Sequence, residues 1–273
     1  MKRMFEEIYH DYLLHKNEVN VEERYKGNEG WYHASGAGLC SRKMYYQSVE
    51  KLQMPSKNFS ELDSKGQAGI RKMALGTIIH ENIQDALLYN NNIYYNTKEK
   101  KLKNTQKKEK FENLKFEVEG ELTIPSLNVR GFYDVLLFDS SGTIDLIKLY
   151  DIKTMGAWQW KQIYPRSVRN EQPSLAGESD NYKLQLGTYG LAIKEKYGNL
   201  DQLAFIYYNI NTQMMRESII PLSYIDIAKR YWYSINEEHS KGLPGFKFGT
   251  SPVHNWVCNY CSFKSICKPP SFK

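Results

Sequence analysis

The sequence has little of what a secreted or membrane-bound protein needs. Four cysteines in 273 residues are too few for a disulfide-stapled extracellular scaffold. No apolar run approaches the roughly 18 residues that span a bilayer. The first residues, MKRMFEEIYHDYLLHK, carry charges throughout and hold no apolar stretch of the signal-peptide kind. No internal repeat occurs. No G-x-x-x-x-G-K-[ST] loop occurs either, so a motor built on that phosphate cradle is excluded. Excess base is moderate: 37 Lys and Arg stand against 31 Asp and Glu, a net charge of +6. That balance permits a polyanionic partner without demanding one. A soluble intracellular protein is expected.

Hydrophobic residues make up 41% of the chain and charged residues 25%, enough for a buried core in one enlarged domain or two small ones. Apolar spacing predicts a helix over 4–16, a polar loop over 17–34, a short helix carrying Cys40 and Arg42, and a long helix over 67–89. Residues 90–113 break this pattern with an Asn run and KEKKLKNTQKKEK, which reads as a surface insertion. Alternation predicts strands at 114–124, 127–138 and 144–153, with Ser140-Ser141-Gly142 turning between the last two. A long loop is expected over 154–180, then a helix at 181–197, strands at 202–210 and 214–220, and a helix at 223–240. The order describes an α/β core with a helical periphery.

Three of the four cysteines lie within ten residues of the C-terminal tail, as Cys258, Cys261 and Cys267 in C-x2-C-x5-C spacing. Cys40 stands 217 intervening residues upstream. Buried free thiols are the plain reading, but a tail with little core of its own is a poor place to bury them. A C-x2-C turn directs two thiolates at one centre. Zinc ribbons draw on two such knuckles, and only one exists here. Four unevenly spaced thiolates suit an iron–sulfur cluster as well or better. Either group would clasp the tail to the N-terminal region.

Asp151-Ile152-Lys153 ends a predicted strand, so Asp151 and Lys153 share a face. Asp134 in the preceding strand offers a second carboxylate from a hairpin neighbour. Two carboxylates with a main-chain carbonyl suit Mg2+ or Mn2+, and a nearby Lys suits phosphodiester hydrolysis. D-x-K alone is weak; an ordinary solvated Asp/Lys pair has the same spelling. His80 sits on the apolar side of its helix, where a satisfied core histidine is the plain reading. Gln185 and Tyr189 are four apart and share a helix face.

In this order the features resemble the PD-(D/E)XK nuclease superfamily, in the branch of RecB-like exonucleases that carry an iron–sulfur cluster, with the CRISPR-associated exonucleases and the AddB nuclease domain. The resemblance runs through SGAGLCSRKMYY (35–46), GTIIHE (76–81), GFYD (131–134), DIK (151–153), QLGTY (185–189) and the C-x2-C-x5-C tail. It implies a mixed central sheet flanked by helices. It also implies catalytic metal ligation by His80, Asp134, Asp151 and the carbonyl of Ile152, with Lys153 as the catalytic lysine. Gln185 and Tyr189 would be the Q-x-x-x-Y pair that helps place DNA and that lysine. Cys40, Cys258, Cys261 and Cys267 would hold a 4Fe-4S cluster. An imidazole ligand tilts the metal preference toward Mn2+ over Mg2+. The acidic residue expected upstream of the G-x-x-D motif is either Glu119 or Glu121.

The implied domains are an N-terminal helix and loop at 1–34 and a nuclease domain at 35–273, with the Lys-rich insertion at about 90–113. The expected substrate is DNA, single-stranded or at its ends, in the cytoplasm of a bacterial, archaeal or virus-infected cell. A protein complex or homo-oligomer is the further partner considered. Residues 98–110 hold seven Lys and two Glu, a net +5. This segment is either a solvated loop or a flexible arm for phosphates. Arg42, Lys161, Arg166 and Arg169 are the candidates for phosphate contacts, and Trp158, Trp160 and Tyr164 either stack on bases or cover the core.

Overall fold

The computed structural model describes residues 4–25, 30–52, 63–91, 93–96, 101–104, 111–164, 180–246, 258 and 261–268. The chain runs through α1 (Met4–Tyr25), β1 (Tyr32–His33), α2 (Ser41–Met44) with a π turn at Tyr45–Val49, and α3 (Ser64–Asn90). It continues through β2 (Ile93–Asn96), β3 (Lys101–Asn104), β4 (Leu114–Ile124), β5 (Val129–Asp139), β6 (Leu146–Met155) and α4 (Ala157–Ile163). α5 (Asp180–Tyr197), β7 (Gln202–Asn209), β8 (Met215–Ile220), α6 (Tyr224–Ser240) and α7 (Lys264–Cys267) complete it. Among the described residues no helix is long and apolar enough to cross a membrane.

Three expectations need correction. The loop predicted from residue 17 is helical to Tyr25, because nothing in that stretch breaks a helix before Gly27. The Lys-rich insertion, expected without regular elements, includes strand backbone: β2 and β3 pair antiparallel, Ile93 with Asn104 and Asn96 with Lys101. The loop predicted over 154–180 begins with α4, whose apolar residues Trp160 and Ile163 are buried at helical spacing. Residues 165–179 lie outside the described residues.

Strands β4, β5, β6, β7 and β8 lie side by side in that order. β6 and β7 run parallel and the other neighbours in this row antiparallel; the short β1 adds a second parallel pairing, to β5, so the sheet is mixed. The parallel pair requires a crossover, which α4 and α5 supply. α5 carries Asp180 in its first turn and Lys194 and Lys196 in its last, matching the helix dipole, and stops at Gly198 with φ +78°. α3 is capped by Asp63, whose side chain accepts from Gly66 N at 2.7 Å.

Alternation along the strands divides the core. Leu136, Leu149, Leu203 and Phe205 pack with Leu186, Ile193 and Trp232 on the α5–α6 side. Val135, Leu137, Tyr150, Ile152 and Ala204 pack with Ile83 and Leu87 of α3 on the other.

One edge of β5 is paired along its length by β4. The other edge is shared. β1 pairs only with Val129 and Arg130, and β6 only with Val135–Asp139. Gly131-Phe132-Tyr133-Asp134 therefore faces a gap in the sheet.

Candidate active site

Val135 and Tyr150 are the last residues to pair before β5 and β6 part. The next residue on each strand is a carboxylate, Asp134 on β5 and Asp151 on β6. Asp134 Oδ2 accepts from the backbone N–H of Ile152 at 2.6 Å, bridging the fork. Asp151 is 1% exposed, and its Oδ2 lies 2.7 Å from Lys153 Nζ. Beyond the fork β6 stays paired with β7, through to Met155 and Asn209. From α5, Gln185 joins the pair: Oε1 accepts from Lys153 at 3.2 Å, and Nε2 donates to Asp151 Oδ1 at 3.4 Å. The same Nε2 donates to Tyr189 Oη at 2.8 Å. Lys153 Nζ also lies 4.8 Å from the centre of the Tyr182 ring.

A cleft of about 360 Å³ opens beside Asp134. α3 lines it with Thr77, His80, Glu81 and Gln84, residues at i, i+3, i+4 and i+7 on one face. Sequence reasoning found His80 and missed the other three; that spacing was the available signal. His80 Nδ1 is 3.6 Å from Asp134 Oδ2. Gln84 is buried and donates to Glu119 Oε1 at 2.9 Å and to the Asp134 carbonyl at 3.3 Å. The upstream acid that lines the cleft is Glu119, held at φ +49°. Glu121 is paired with Arg130 at 2.8 Å. Gly131 allows close packing: a Cβ there would lie 3.0 Å from Ala34 Cβ and 3.3 Å from the Tyr189 ring.

Burial, and then the charge of Asp151, push the Asp134 carboxyl far above the usual carboxylate range; Lys153 and the Ile152 N–H oppose this. Burial alone would push Lys153 down, but Asp151 and Asp134 outweigh it and the net shift is upward. His80 is held below its ordinary value by burial and then by Lys153. Tyr189 is pushed well up, by burial first and then by the two aspartates, so it stays a phenol.

A hard divalent cation fits this chemistry. Two carboxylates and an imidazole converge, the carboxylates resist being ionised together, and buried Asp151 Oδ2 lacks a hydrogen bond despite its ion pair. The side chains are not drawn into a closed cage. Among the described residues, no group of three or more His, Cys, Asp or Glu is arranged to hold a metal ion.

Cys40, Cys258, Cys261 and Cys267 are half-buried free thiols. Burial pushes the Cys258 thiol up, and Cys40, Cys261 and Cys267 add to the shift, so all three lie within its electrostatic reach. Phe263 is buried between the tail cysteines and stacks on Tyr46 with 5.5 Å between ring centres. Arg42, the α2 candidate for a phosphate contact, is bonded to the tail. Its Nε donates to Cys267 Sγ at 3.3 Å, Nη1 to the Pro244 carbonyl at 2.5 Å and Nη2 to Tyr46 Oη at 3.4 Å, with the guanidinium over Phe246. Through these bonds it ties the tail to α2.

Lys161 is exposed on α4, and Trp158 is 73% exposed. Trp160 and Tyr164 are core residues, packed with 4.7 Å between ring centres. Arg166 and Arg169 lie outside the described residues.

A family model described as the PD-(D/E)XK nuclease superfamily matches residues 93–268. No curated protein matches the sequence. Among solved structures, that of SSO0001 is 17% identical, spans 96% of this chain and 97% of its own, and has a TM-score of 0.50, a likeness of fold. The alkaline exonuclease LHK-Exo from Laribacter hongkongensis is 12% identical over 81% of this chain and 94% of its own, with a TM-score of 0.46.

Proposed function

Since the chain belongs to the PD-(D/E)XK nuclease superfamily, we propose that it is a metal-dependent DNA exonuclease acting on single strands or DNA ends. The observation that carries the reading is the fork, where Asp134, Asp151 and Lys153 converge at the gap between β5 and β6. His80, Asp134, Asp151 and the Ile152 carbonyl would hold Mg2+ or Mn2+, the imidazole favouring Mn2+. When bound, the cation supplies Lewis acidity for phosphodiester hydrolysis. Lys153, an ammonium here, is placed to stabilise charge gathering on the phosphate. Gln185 fixes Lys153 and Asp151 together, and Tyr189 fixes Gln185. Lys161, Arg166 and Arg169 guide the phosphate backbone. Lacking a nucleotide-driven motor loop, the chain acts on strands that are already single or on exposed ends.

Cys40, Cys258, Cys261 and Cys267 hold a 4Fe-4S cluster in this reading. Its support is the convergence of four free thiols from opposite ends of the sequence. The group's role is to fasten the tail, since ligation energy contributes directly to folding. Zinc would fasten it too; iron and acid-labile sulfide in protein purified without oxygen separate the two. A role in a larger DNA-processing complex is compatible with the same site.

The test is degradation of end-labelled single-stranded DNA with Mn2+ or Mg2+. Wild type is expected to degrade it, and Asp151→Ala and Lys153→Ala to lose activity by orders of magnitude. Variants that cleave like wild type would remove the assignment.

A further inference from the structure

α4 follows the strand of Asp151 and Lys153 directly, and its residues divide by face. Trp160, Ile163 and, just beyond the helix, Tyr164 are buried at i, i+3 and i+4. Tyr164 meets Tyr207 of β7 with 6.2 Å between ring centres. Trp158, Gln159, Lys161 and Gln162 are exposed. Trp158 and Lys161 are three apart, so an indole and an ammonium stand about one turn from each other on the outer face. Trp158 is 73% exposed, whereas Trp160 and Trp232 are buried. An indole held in water forgoes a large burial gain, so this ring calls for a flat apolar surface that arrives from outside. Its base is fixed. The Ala157 N–H donates to Asn211 Oδ1 at 2.8 Å, and the Ile210 N–H donates to the Met155 carbonyl at 3.0 Å. Buried Asn209 holds the same turn, its Oδ1 accepting from the Asn211 N–H at 2.9 Å. The turn between β7 and β8 therefore pins the start of α4. Trp158 lies five residues beyond Lys153, at most about 18 Å along the chain.

We propose that Trp158 is a stacking platform for an unpaired base of the substrate strand, with Lys161 on a neighbouring phosphate. The inference rests on the nuclease reading above, and it narrows the substrate to a strand whose bases are free to stack. Every base has a π face, so a ring with no hydrogen-bonding partner for base edges beside it is tolerant of sequence. Inside a duplex the bases are already stacked on one another and gain nothing from the indole. The platform therefore selects single-stranded segments. Lys161 supplies a point charge, which contributes affinity without base selection. The two side chains should act separately: the indole through bases, the ammonium through salt-sensitive phosphate contact.

The test compares an oligothymidine with an abasic deoxyribose-phosphate oligomer of equal length, which has the same charge and no bases. Both carry the same dye, and binding is followed by fluorescence anisotropy in EDTA. Wild type is expected to bind the thymidine strand roughly tenfold to a hundredfold more tightly. Trp158→Ala is expected to lose most of that preference and Trp158→Phe to keep much of it, both melting like wild type because the ring is exposed. Lys161→Gln is expected to keep the base preference and lower the salt slope by about one phosphate contact. Equal wild-type affinity for the two strands overturns the proposal. So does a Trp158→Ala variant that keeps the full preference, or one that melts well below wild type, which would make the ring a packing residue. An unchanged salt slope in Lys161→Gln removes the phosphate half. Cleavage of the thymidine strand with Mn2+ is scored separately. Base preference without cleavage defeats the nuclease reading and leaves the platform standing; cleavage without base preference does the reverse.

Discussion

The backbone N–H of Ile152 donates to Asp134 Oδ2 at 2.6 Å, across the mouth of the fork between β5 and β6. This bond holds Asp134 beside the buried Asp151. The strands do not pair there, and one side chain caps the exposed main-chain donor instead.

That arrangement costs stability, and the sign can be tested. The Asp134 carboxyl is raised by burial and by Asp151. A raised carboxyl contributes stability below its unfolded pKa, and the contribution is lost as pH climbs toward the raised native value. Asp134→Asn keeps an oxygen for the Ile152 N–H and removes the charge. In EDTA at pH 8 the variant should melt above wild type, by a few degrees for about 1 kcal/mol. The gain should fade toward pH 4, while cleavage is lost. Scanning calorimetry at both pH values checks this, and a lower melting point at pH 8 would contradict it.

Gln185 touches Lys153, Asp151 and Tyr189, whereas Tyr189 reaches the pair only through Gln185. Their variants should therefore rank. Gln185→Ala should reduce kcat roughly tenfold to a hundredfold, with KM little changed. Tyr189→Phe removes one hydrogen bond, about 1 kcal/mol, and should reduce kcat severalfold. Steady-state kinetics on one substrate give the order; the reverse order would show that Tyr189 touches substrate itself.

What was legible in the sequence follows from range. Asp151 and Lys153 are two apart on a strand, and Gln185 and Tyr189 four apart on a helix; local geometry alone puts each pair on one face. Strand boundaries were readable because alternation marks two buried faces, as in β4, read and observed at Leu114–Ile124. The gap in the sheet was not readable. It depends on the two-residue strand β1 pairing with Val129 and Arg130 about a hundred residues away, and two residues carry no periodicity. Glu119 and Glu121 were inseparable for a related reason. They share a face by spacing, and only the contacts of Gln84 and Arg130 tell them apart.

The cysteine reading separates cleanly from the nuclease reading. Cys258→Ser and Cys267→Ser should lower bound iron and the melting temperature together, because each removes a ligand from the tail. Asp151→Asn should leave iron content unchanged. Metal and sulfide analysis of anaerobically purified protein checks both. Stoichiometric zinc without sulfide would replace the cluster; the absence of any metal would leave four free thiols.

Gly187 lies between Gln185 and Tyr189 on α5, where α6 crosses closely. A Cβ there would stand 2.3 Å from the Tyr224 carbonyl oxygen and 3.2 Å from Ala228 Cβ. A backbone oxygen cannot swing aside, so the helices must separate. Gly187→Ala should cost about 1–3 kcal/mol, each kcal/mol lowering the melting temperature by roughly 2–4 °C. Because α5 carries both Gln185 and Tyr189, the separation should also misplace Lys153 and reduce kcat. Gly198→Ala is the control. It meets nothing within 4 Å, but its φ of +78° strains any L side chain, a cost of about 1–2 kcal/mol. That variant should lose stability and keep its kcat. If both variants lose stability yet keep kcat, the α5–α6 spacing does not position the Gln185 bridge.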